Sequence, residues 1–342
     1  MNIAVIAPFQ TASFLDVAEK TARVLRLNHN VALHDMNTMF FPFGKWDKLI
    51  YFNTLFLPSL VHIPRFLALT NRLIFSCDSE GIPLGISDFF KRYLDVCIIS
   101  TPTFWVKQNY EKAGIKVHNV IPRAIDPNEF VVNKADVEAY RKQFNNKKII
   151  FFNGALHERM QHQRKGIEEL LQALQLICKK RDDVVLVHLT NHYPYEVGIP
   201  IPKEVEGKYI AEKLFGKLSK YEVALRYHAC DVYVQPSHSE GFGMPLIEAM
   251  ICQKPPIFIN GGAMKEVVGE YGIKVEPTHV QTFNFMNLIE QIYFMFEPSD
   301  LAEAILWSLD NKEQYEELGI KAKEFAERKY NCWVVYKEFE KV

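Results

Sequence analysis

Two glutamates, Glu240 and Glu248, flank a glycine turn in the stretch SHSEGFGMPLIE. A short apolar run before the turn predicts a buried strand, and Pro245 suits the first position of a helix after it. Gly241 and Gly243 allow the main chain to approach a ligand closely. A strand, a turn and a helix N-terminus in this order present free N–H groups to an anion. The pattern therefore predicts an anion-binding crevice, with Glu240 in the turn and Glu248 in the first helical turn.

The motif by itself leaves a structural interpretation open. Glu248 could only complement the helix dipole, and the two glycines could be ordinary turn formers. The remainder of the chain has to supply further groups if the crevice is to perform chemistry.

Predicted strands and helices alternate along the chain, which is typical of doubly wound parallel sheets. We predict a first unit over residues 1–145 and a second over residues 146–342. Strands of the first unit are predicted at Ile3–Ala7, Val31–His34, Leu49–Phe52, Arg72–Cys77, Asp95–Ser100 and Val117–Ile121, with helices at Phe14–Leu27 and Phe104–Ala113. In the second unit we predict strands at Ile149–Asn153, Asp183–Leu189, Asp231–Gln235 and Pro256–Ile259, and helices at Gly166–Cys178, Val205–Phe215, Lys220–His228, Pro245–Cys252, Leu301–Leu309, Lys312–Tyr330 and Trp333–Lys341. The segment 276–298 is apolar and aromatic, and we assign it no element.

Composition excludes several classes of protein. The 342 residues are 48% hydrophobic and carry a formal net charge of -1, which argues against a nucleic-acid-binding protein. The six cysteines form no C-x-x-C pair and the chain has no Asp-x-Asp motif, so we expect no metal site and no disulfide framework. The start of the chain has no basic region typical of a signal peptide, which favours a cytoplasmic protein. A small excess of positive charge in residues 1–145 leaves peripheral membrane contact of this half open.

Several motifs together resemble the retaining GT-B glycosyltransferases, the group 1 enzymes that include bacterial mannosyltransferases and sucrose-phosphate synthases. SEGFGMPLIEAM resembles their E-x7-E motif, and RKGI at 164–167 resembles their Lys-Gly helix start. IPRAIDPNEF at 121–130 and GGAMKEVV at 261–268 resemble two further family segments. The resemblance implies a GT-B fold, in which two Rossmann-like domains with parallel sheets face each other across a cleft. Residues 1–145 would bind the acceptor and residues 146–342 the nucleotide sugar, and it stays open whether the last helix returns to the first domain.

The resemblance also implies roles for donor-side residues. Glu240 would face the donor sugar, Glu248 would bind the ribose hydroxyls, and Lys165 would bind the diphosphate. The family has an arginine at the position of Ala155, so Arg159 or Arg164 would supply that charge here. Further donor contacts are expected from Gly154, Gly241, Phe242 and Gly243.

Acceptor-side residues match the family less well. The loop Pro8–Ser13 lacks the family's glycines, and CDSEGIP stands where many members have a histidine. Asp78 or Glu80 could hold or deprotonate an acceptor hydroxyl, or both could be turn residues before Pro83.

The function implied is metal-independent, retaining transfer of a sugar from a nucleoside diphosphate sugar, with no other cofactor. The acceptor is an unidentified carbohydrate, lipid or protein. One alternative is another GT-B enzyme, such as an epimerase or a phosphorylase, since fold does not determine function. The other is a non-catalytic sensor that binds nucleotide sugars.

Overall fold

The computed structural model describes residues 1–38, 44–55, 57–156 and 164–342. Arg159 lies outside the described residues, so its predicted role is not located. Within the described parts, no helix is long and apolar enough to cross a membrane.

The first half of the chain forms a six-stranded parallel sheet. Its strands are β1 (Asn2–Ala7), β2 (Asn30–Asp35), β3 (Lys48–Thr54), β4 (Leu73–Asp78), β6 (Ile98–Thr101) and β7 (Asn119–Val120), in the order β2-β1-β3-β4-β6-β7. The helices of this half are α1 (Ala12–Leu25), α2 (Leu57–Leu60), α3 (Ile63–Leu67), α4 (Asp88–Leu94), α5 (Phe104–Lys112) and α6 (Lys134–Lys142). Strands β1, β3 and β4 are buried apolar runs because parallel sheets are covered on both faces.

The second half forms another six-stranded parallel sheet. Its strands are β8 (Lys148–Asn153), β9 (Val184–Leu189), β10 (Tyr209–Glu212), β11 (Val232–Gln235), β12 (Ile257–Ile259) and β13 (Ile273–Val275), in the order β10-β9-β8-β11-β12-β13. The helices are α7 (Ile167–Cys178), α8 (Lys220–Ala229), α9 (Met244–Ile251), α10 (Gly262–Val268), α11 (Pro298–Asp310), α12 (Lys312–Lys329), α13 (Cys332–Val335) and α14 (Glu338–Lys341). Both halves are thus doubly wound, and the predicted GT-B α/β fold with two Rossmann-like units is confirmed.

The prediction of a helix at Val205–Phe215 is wrong. This segment contains β10, which pairs in parallel with β9 from Tyr209 opposite Leu186. Gly207 adopts a φ of +74°, which interrupts any helix there. The strand forms because the edge of β9 offers unpaired main-chain groups. Hydrogen bonding to that edge outweighs the helical spacing of the apolar residues.

The unassigned segment 276–298 contains a β-hairpin. Strands β14 (His279–Phe285) and β15 (Ile289–Met295) pair antiparallel, and β15 also pairs with the short strand β5 (Gly81–Pro83) of the first half. The turn contains Met286 and Asn287 at φ values of +53° and +55°. Since glycine normally supplies such values, the turn lacks the usual sequence signal of a hairpin.

The end of the chain packs against the first half. Cys332, Val335, Tyr336 and Phe339 lie in a hydrophobic core with residues of α1, β1 and β3. The Tyr336 hydroxyl accepts a hydrogen bond from the Ala124 amide at 2.8 Å and donates one to the Ala124 carbonyl at 3.0 Å. The polypeptide therefore crosses between the two sheets more than once.

Candidate active site

The predicted donor residues converge at the point where the strand order of the second sheet reverses. β8 and β11 are neighbours there, and ligands of open α/β sheets bind at the carboxyl ends of such strands. Gly166 has a φ of +64°, and a Cβ atom on it would lie 1.9 Å from the Pro236 carbonyl oxygen. Only glycine allows this close approach, which brings Lys165 beside the turn that follows β11.

Glu240 is buried between two cations. Its Oε1 accepts a hydrogen bond from Lys165 Nζ at 2.6 Å, and its Oε2 accepts one from Arg164 Nη1 at 3.0 Å. Gln235 Nε2 donates a third hydrogen bond to Oε1 at 3.1 Å. The side chain of Glu240 is 7% exposed, so these contacts are shielded from water. Such charge-assisted hydrogen bonds are the strong ones in proteins.

The pKa values of this cluster reflect a contest between burial and pairing. Burial by itself raises the pKa of Glu240, but Lys165 and Arg164 outweigh it and lower the pKa to about 2. Burial lowers the pKa of Lys165 despite its pairing with Glu240, since Arg164 repels it as well. The charged form of Glu240 is stabilised more than that of Lys165. Glu240 faces two opposite charges, whereas Lys165 faces one carboxylate and one like charge.

We expect acid to destabilise the protein partly through Glu240. A carboxylate with a depressed pKa contributes stability above its ordinary value of 4.5, and the contribution disappears as pH falls toward 2. Urea unfolding of the wild type and of Glu240→Gln should therefore give a difference in unfolding free energy that shrinks over this window, by at most about 3 kcal/mol. Glu270→Gln is the control, because the carboxylate of Glu270 is exposed. A difference that stays constant with pH would contradict the assignment.

Carboxylates of the first half approach the same cluster from the end of β4. Glu80 Oε1 lies 3.4 Å from Arg164 Nη1, and the Glu80 carbonyl accepts a hydrogen bond from Ser239 Oγ at 3.1 Å. Asp78 forms an ion pair with the buried Arg123 at 3.1 Å. Burial raises the pKa of Asp78, although Arg123 opposes the shift. Both predicted acceptor carboxylates thus lie at the end of β4, and Glu80 is within ion-pair distance of the predicted donor cation Arg164.

Glu248 lies at a second position in the crevice, in the second turn of α9 rather than the first. The prediction of a first-turn position was wrong because α9 begins at Met244. Tyr227 donates a hydrogen bond to Glu248 Oε2 at 3.0 Å, and Lys220 Nζ lies 3.5 Å from Oε1. A role as partner of the helix dipole is therefore weakened, since that effect is confined to the first turn.

Lys220 connects this carboxylate with the first half of the chain. Its Nζ lies 3.2 Å from Oδ1 of Asp16 on α1. Burial lowers the pKa of Lys220, but Glu248 and Asp16 reverse that effect and raise it. Sequence reasoning assigned no role to Lys220, Asp16 or Arg123, since their partners are distant in sequence.

The predicted glycines have distinct surroundings. Gly243 has a φ of +90° and precedes α9 directly, so it forms the turn that starts this helix. A Cβ atom on Gly241 would lie 3.2 Å from Asp78 Cβ, which places this turn against the end of β4. The Phe242 side chain is buried and packs edge-on against Tyr330, so only its main chain is available for a ligand.

A buried histidine supports the glycine turn after β8. His188 Nε2 lies 2.8 Å from the Gly154 carbonyl and its Nδ1 lies 2.9 Å from the Tyr209 hydroxyl. Because a carbonyl only accepts, Nε2 carries the proton in the neutral ring. Burial lowers the pKa of His188 to about 4, so it is neutral at pH 7 and positions Gly154 without adding charge.

Comparison with known proteins identifies a family and relatives of this chain. A model of the family "Glycosyl transferases group 1" matches residues 136–325. An uncharacterized glycosyltransferase of Sulfolobus islandicus rod-shaped virus 1 is 25% identical over 96% of each chain. A stretch of 118 residues is 35% identical to the uncharacterized glycosyltransferase MJ1178 of Methanocaldococcus jannaschii, and covers 34% of this chain and 28% of that protein.

The fold is similar to that of a solved structure as well. The crystal structure of Anabaena Alr3699/HepE in complex with UDP and glucose superposes with a TM-score of 0.72 at 16% identity, over 100% of this chain and 98% of that one. At this identity the likeness concerns the fold alone. The family match spans more than half of the chain and contains Lys165, Glu240 and Glu248. The chain is therefore a GT-B glycosyltransferase and belongs to the glycosyl transferases group 1 family.

Proposed function

We propose that the protein transfers a sugar, with retention of configuration, from a nucleoside diphosphate sugar to an acceptor hydroxyl. The observation that carries the proposal is the buried Glu240 carboxylate, held by Lys165 and Arg164 at the switch point of the second sheet. Retention is supported by the resemblance of the E-x7-E stretch to that of retaining enzymes. We further propose that residues 146–342 bind the donor and residues 1–145 the acceptor.

The two cations suit a diphosphate leaving group. When the bond between the sugar and the distal phosphate breaks, negative charge grows on the phosphate oxygens and requires stabilisation. Lys165 and Arg164 supply positive charge at this place, so we propose that the reaction needs no metal ion. Glu240 contacts both cations, and a bound diphosphate would share them with the carboxylate.

The acceptor reaction requires a bond from the acceptor oxygen to the anomeric carbon, and the hydroxyl proton must leave. We propose that the departing diphosphate oxygen takes this proton, since a retaining reaction without an enzyme-bound sugar brings both oxygens to one face. Asp78 and Glu80 lie at the end of β4, beside the donor cluster, and would orient the acceptor hydroxyl. The acceptor class and contact of the first half with a membrane remain predictions.

Lys165→Ala should weaken binding of a free nucleoside diphosphate, because it removes a charge-assisted contact of roughly 1.5–3 kcal/mol. This corresponds to about tenfold to a hundredfold in Kd. Calorimetric titration with UDP and with UMP is the measurement, and the monophosphate should lose less. Lys217→Ala, at an exposed position, is the control. Equal losses for both nucleotides would show that Lys165 does not reach the distal phosphate.

A panel of nucleotide sugars tests the function itself. UDP-glucose is the first choice, because the structurally similar HepE was solved with UDP and glucose. A donor present at 100 times its Kd adds about 2.7 kcal/mol to folding stability, which a thermal shift detects. Slow release of UDP from UDP-glucose in water should persist in excess EDTA. Donor binding without any release would favour a sensor, release restored only by magnesium would contradict metal independence, and isomerised nucleotide sugar would favour an epimerase.

A further inference from the structure

We propose that strand β15 of the hairpin is a positioning element of the reacting centre. It would hold the main chain around Glu240 in the donor half at a set distance from the acceptor half. The inference rests on the proposed function and adds an element that no motif of the sequence indicates.

The main chain of β15 is hydrogen-bonded to both halves within three residues. The Ile292 amide donates to the Glu80 carbonyl at 3.1 Å, and the Phe294 amide donates to the His238 carbonyl at 2.9 Å. Glu80 follows β4 in the first half, and His238 stands two residues before Glu240 in the second. One strand therefore sets the spacing between the two carboxylate-bearing turns.

Side chains of the hairpin reinforce this link. The His238 ring is buried, stacks on Tyr293 with ring centroids 5.6 Å apart, and packs against Phe296 at 5.0 Å. His238 Nε2 also lies 3.2 Å from Oε1 of Glu169 in the first turn of α7. The turn that carries Glu240 is thus braced by the hairpin on one side and by α7 on the other.

The Phe294 side chain packs at the boundary between the halves. Its ring lies against Gly261 and Gly262, where a Cβ atom would meet it at 2.3 and 2.9 Å. The ring also packs near Trp105 of α5, with centroids 6.5 Å apart. Glu266 of α10 accepts hydrogen bonds from the amides of Phe104 and Trp105 at 2.9 and 3.1 Å. These bonds form a second connection between the two halves beside Phe294.

This arrangement predicts that the hairpin affects turnover rather than nucleotide binding. The cations Lys165 and Arg164 both stand on the second half, although Arg164 also lies 3.4 Å from Glu80 of the first half. We therefore expect nucleotide affinity to depend far less than turnover on the spacing between the halves. The reaction does depend on it, since a misplacement of about 1 Å can cost about a hundredfold in rate.

The test compares two identical substitutions in one hairpin. Phe294→Ala should lower the rate of UDP release from UDP-glucose by about tenfold to a hundredfold and leave the Kd of UDP within about twofold. Phe285→Ala, on the exposed part of β14, should change neither. Phe294→Leu should recover most of the rate, and it replaces the alanine variant if that protein does not fold.

Hydrogen exchange gives a readout that is independent of the donor. Amides of the segment 236–242 should exchange faster in Phe294→Ala than in the wild type, and at the wild-type rate in Phe285→Ala. Wild-type turnover in Phe294→Ala, or a loss of UDP affinity in step with turnover, would overturn the proposal. If the wild type neither binds UDP nor releases it from UDP-glucose, the donor assignment fails. The proposed role of the hairpin is then tested by the exchange rates alone. Unchanged exchange of segment 236–242 in Phe294→Ala would refute it.

Discussion

Replacing Glu240 with glutamine should lower turnover by about a hundredfold to a thousandfold, in the range measured when one preorganised electrostatic group is removed from an active site. The amide keeps the shape of the side chain but lacks the charge that we propose to face the donor sugar. Steady-state release of UDP from UDP-glucose measures this loss in kcat.

Nucleotide affinity should respond in the opposite direction. Glu240 engages Lys165 and Arg164, the two cations that we propose to bind the diphosphate. Glutamine leaves Lys165 without its carboxylate partner and leaves Arg164 with Glu80 alone, so the Kd of UDP should stay equal or become smaller. Glu270→Gln, which disrupts an exposed pair with Lys274, should change neither quantity. Wild-type turnover in Glu240→Gln, or a weaker affinity for UDP, would contradict the proposed role.

Glu248→Ala should weaken binding of the donor nucleotide by about tenfold to a hundredfold in Kd. Hydrogen bonds to a charged group contribute roughly 1.5–3 kcal/mol, and a carboxylate can accept bonds from two adjacent ribose hydroxyls. Its present partners support this role, since the Lys220 contact with Oε1 is long at 3.5 Å and leaves that oxygen weakly engaged. Calorimetric titration with UDP gives the affinity directly.

A double-mutant cycle with the ligand as one partner distinguishes ribose binding from a structural role. Removing the 2′-hydroxyl of UDP should cost affinity in the wild type and little in Glu248→Ala, because the partner is already absent. Lys220→Met is the control. It removes a neighbour of the same carboxylate, so the hydroxyl should keep its contribution there. Strictly additive losses in the cycle would falsify the ribose contact.

Local patterns were sufficient for the two sheets, and they indicated residues that the structure brings together around Glu240. Apolar runs such as those of β8 and β11 can be read directly because buried parallel strands carry no alternation. Gly166 and Gly243 could be identified because a positive φ and a close approach restrict those positions to glycine. The prediction for segment 205–215 was wrong because strand pairing at a sheet edge is a tertiary effect, which the periodicity of apolar residues does not report.

The hairpin marks the limit of local reasoning in this chain. Its turn uses Met286 and Asn287 in place of glycine, and its partner strand β5 lies about two hundred residues away. The choice between Arg159 and Arg164 could not be made from the sequence either. The structure places Arg164 against Glu240, whereas Arg159 is outside the described residues.

The sequence by itself determined the fold class and the glycine turn, because buried strands and turns depend on neighbours within a few residues. It also singled out Lys165, Glu240 and Glu248 as candidate site residues. Tertiary structure alone decided which charges pair. Lys165 meets Glu240 across 75 positions, and Lys220 joins Glu248 to Asp16 of the other half. Such pairs form because burial makes an isolated charge costly, so the fold retains charged groups in its interior where an opposite charge lies within reach. Which groups come within reach depends on the order of the strands, and a single sequence does not encode that order in any local pattern.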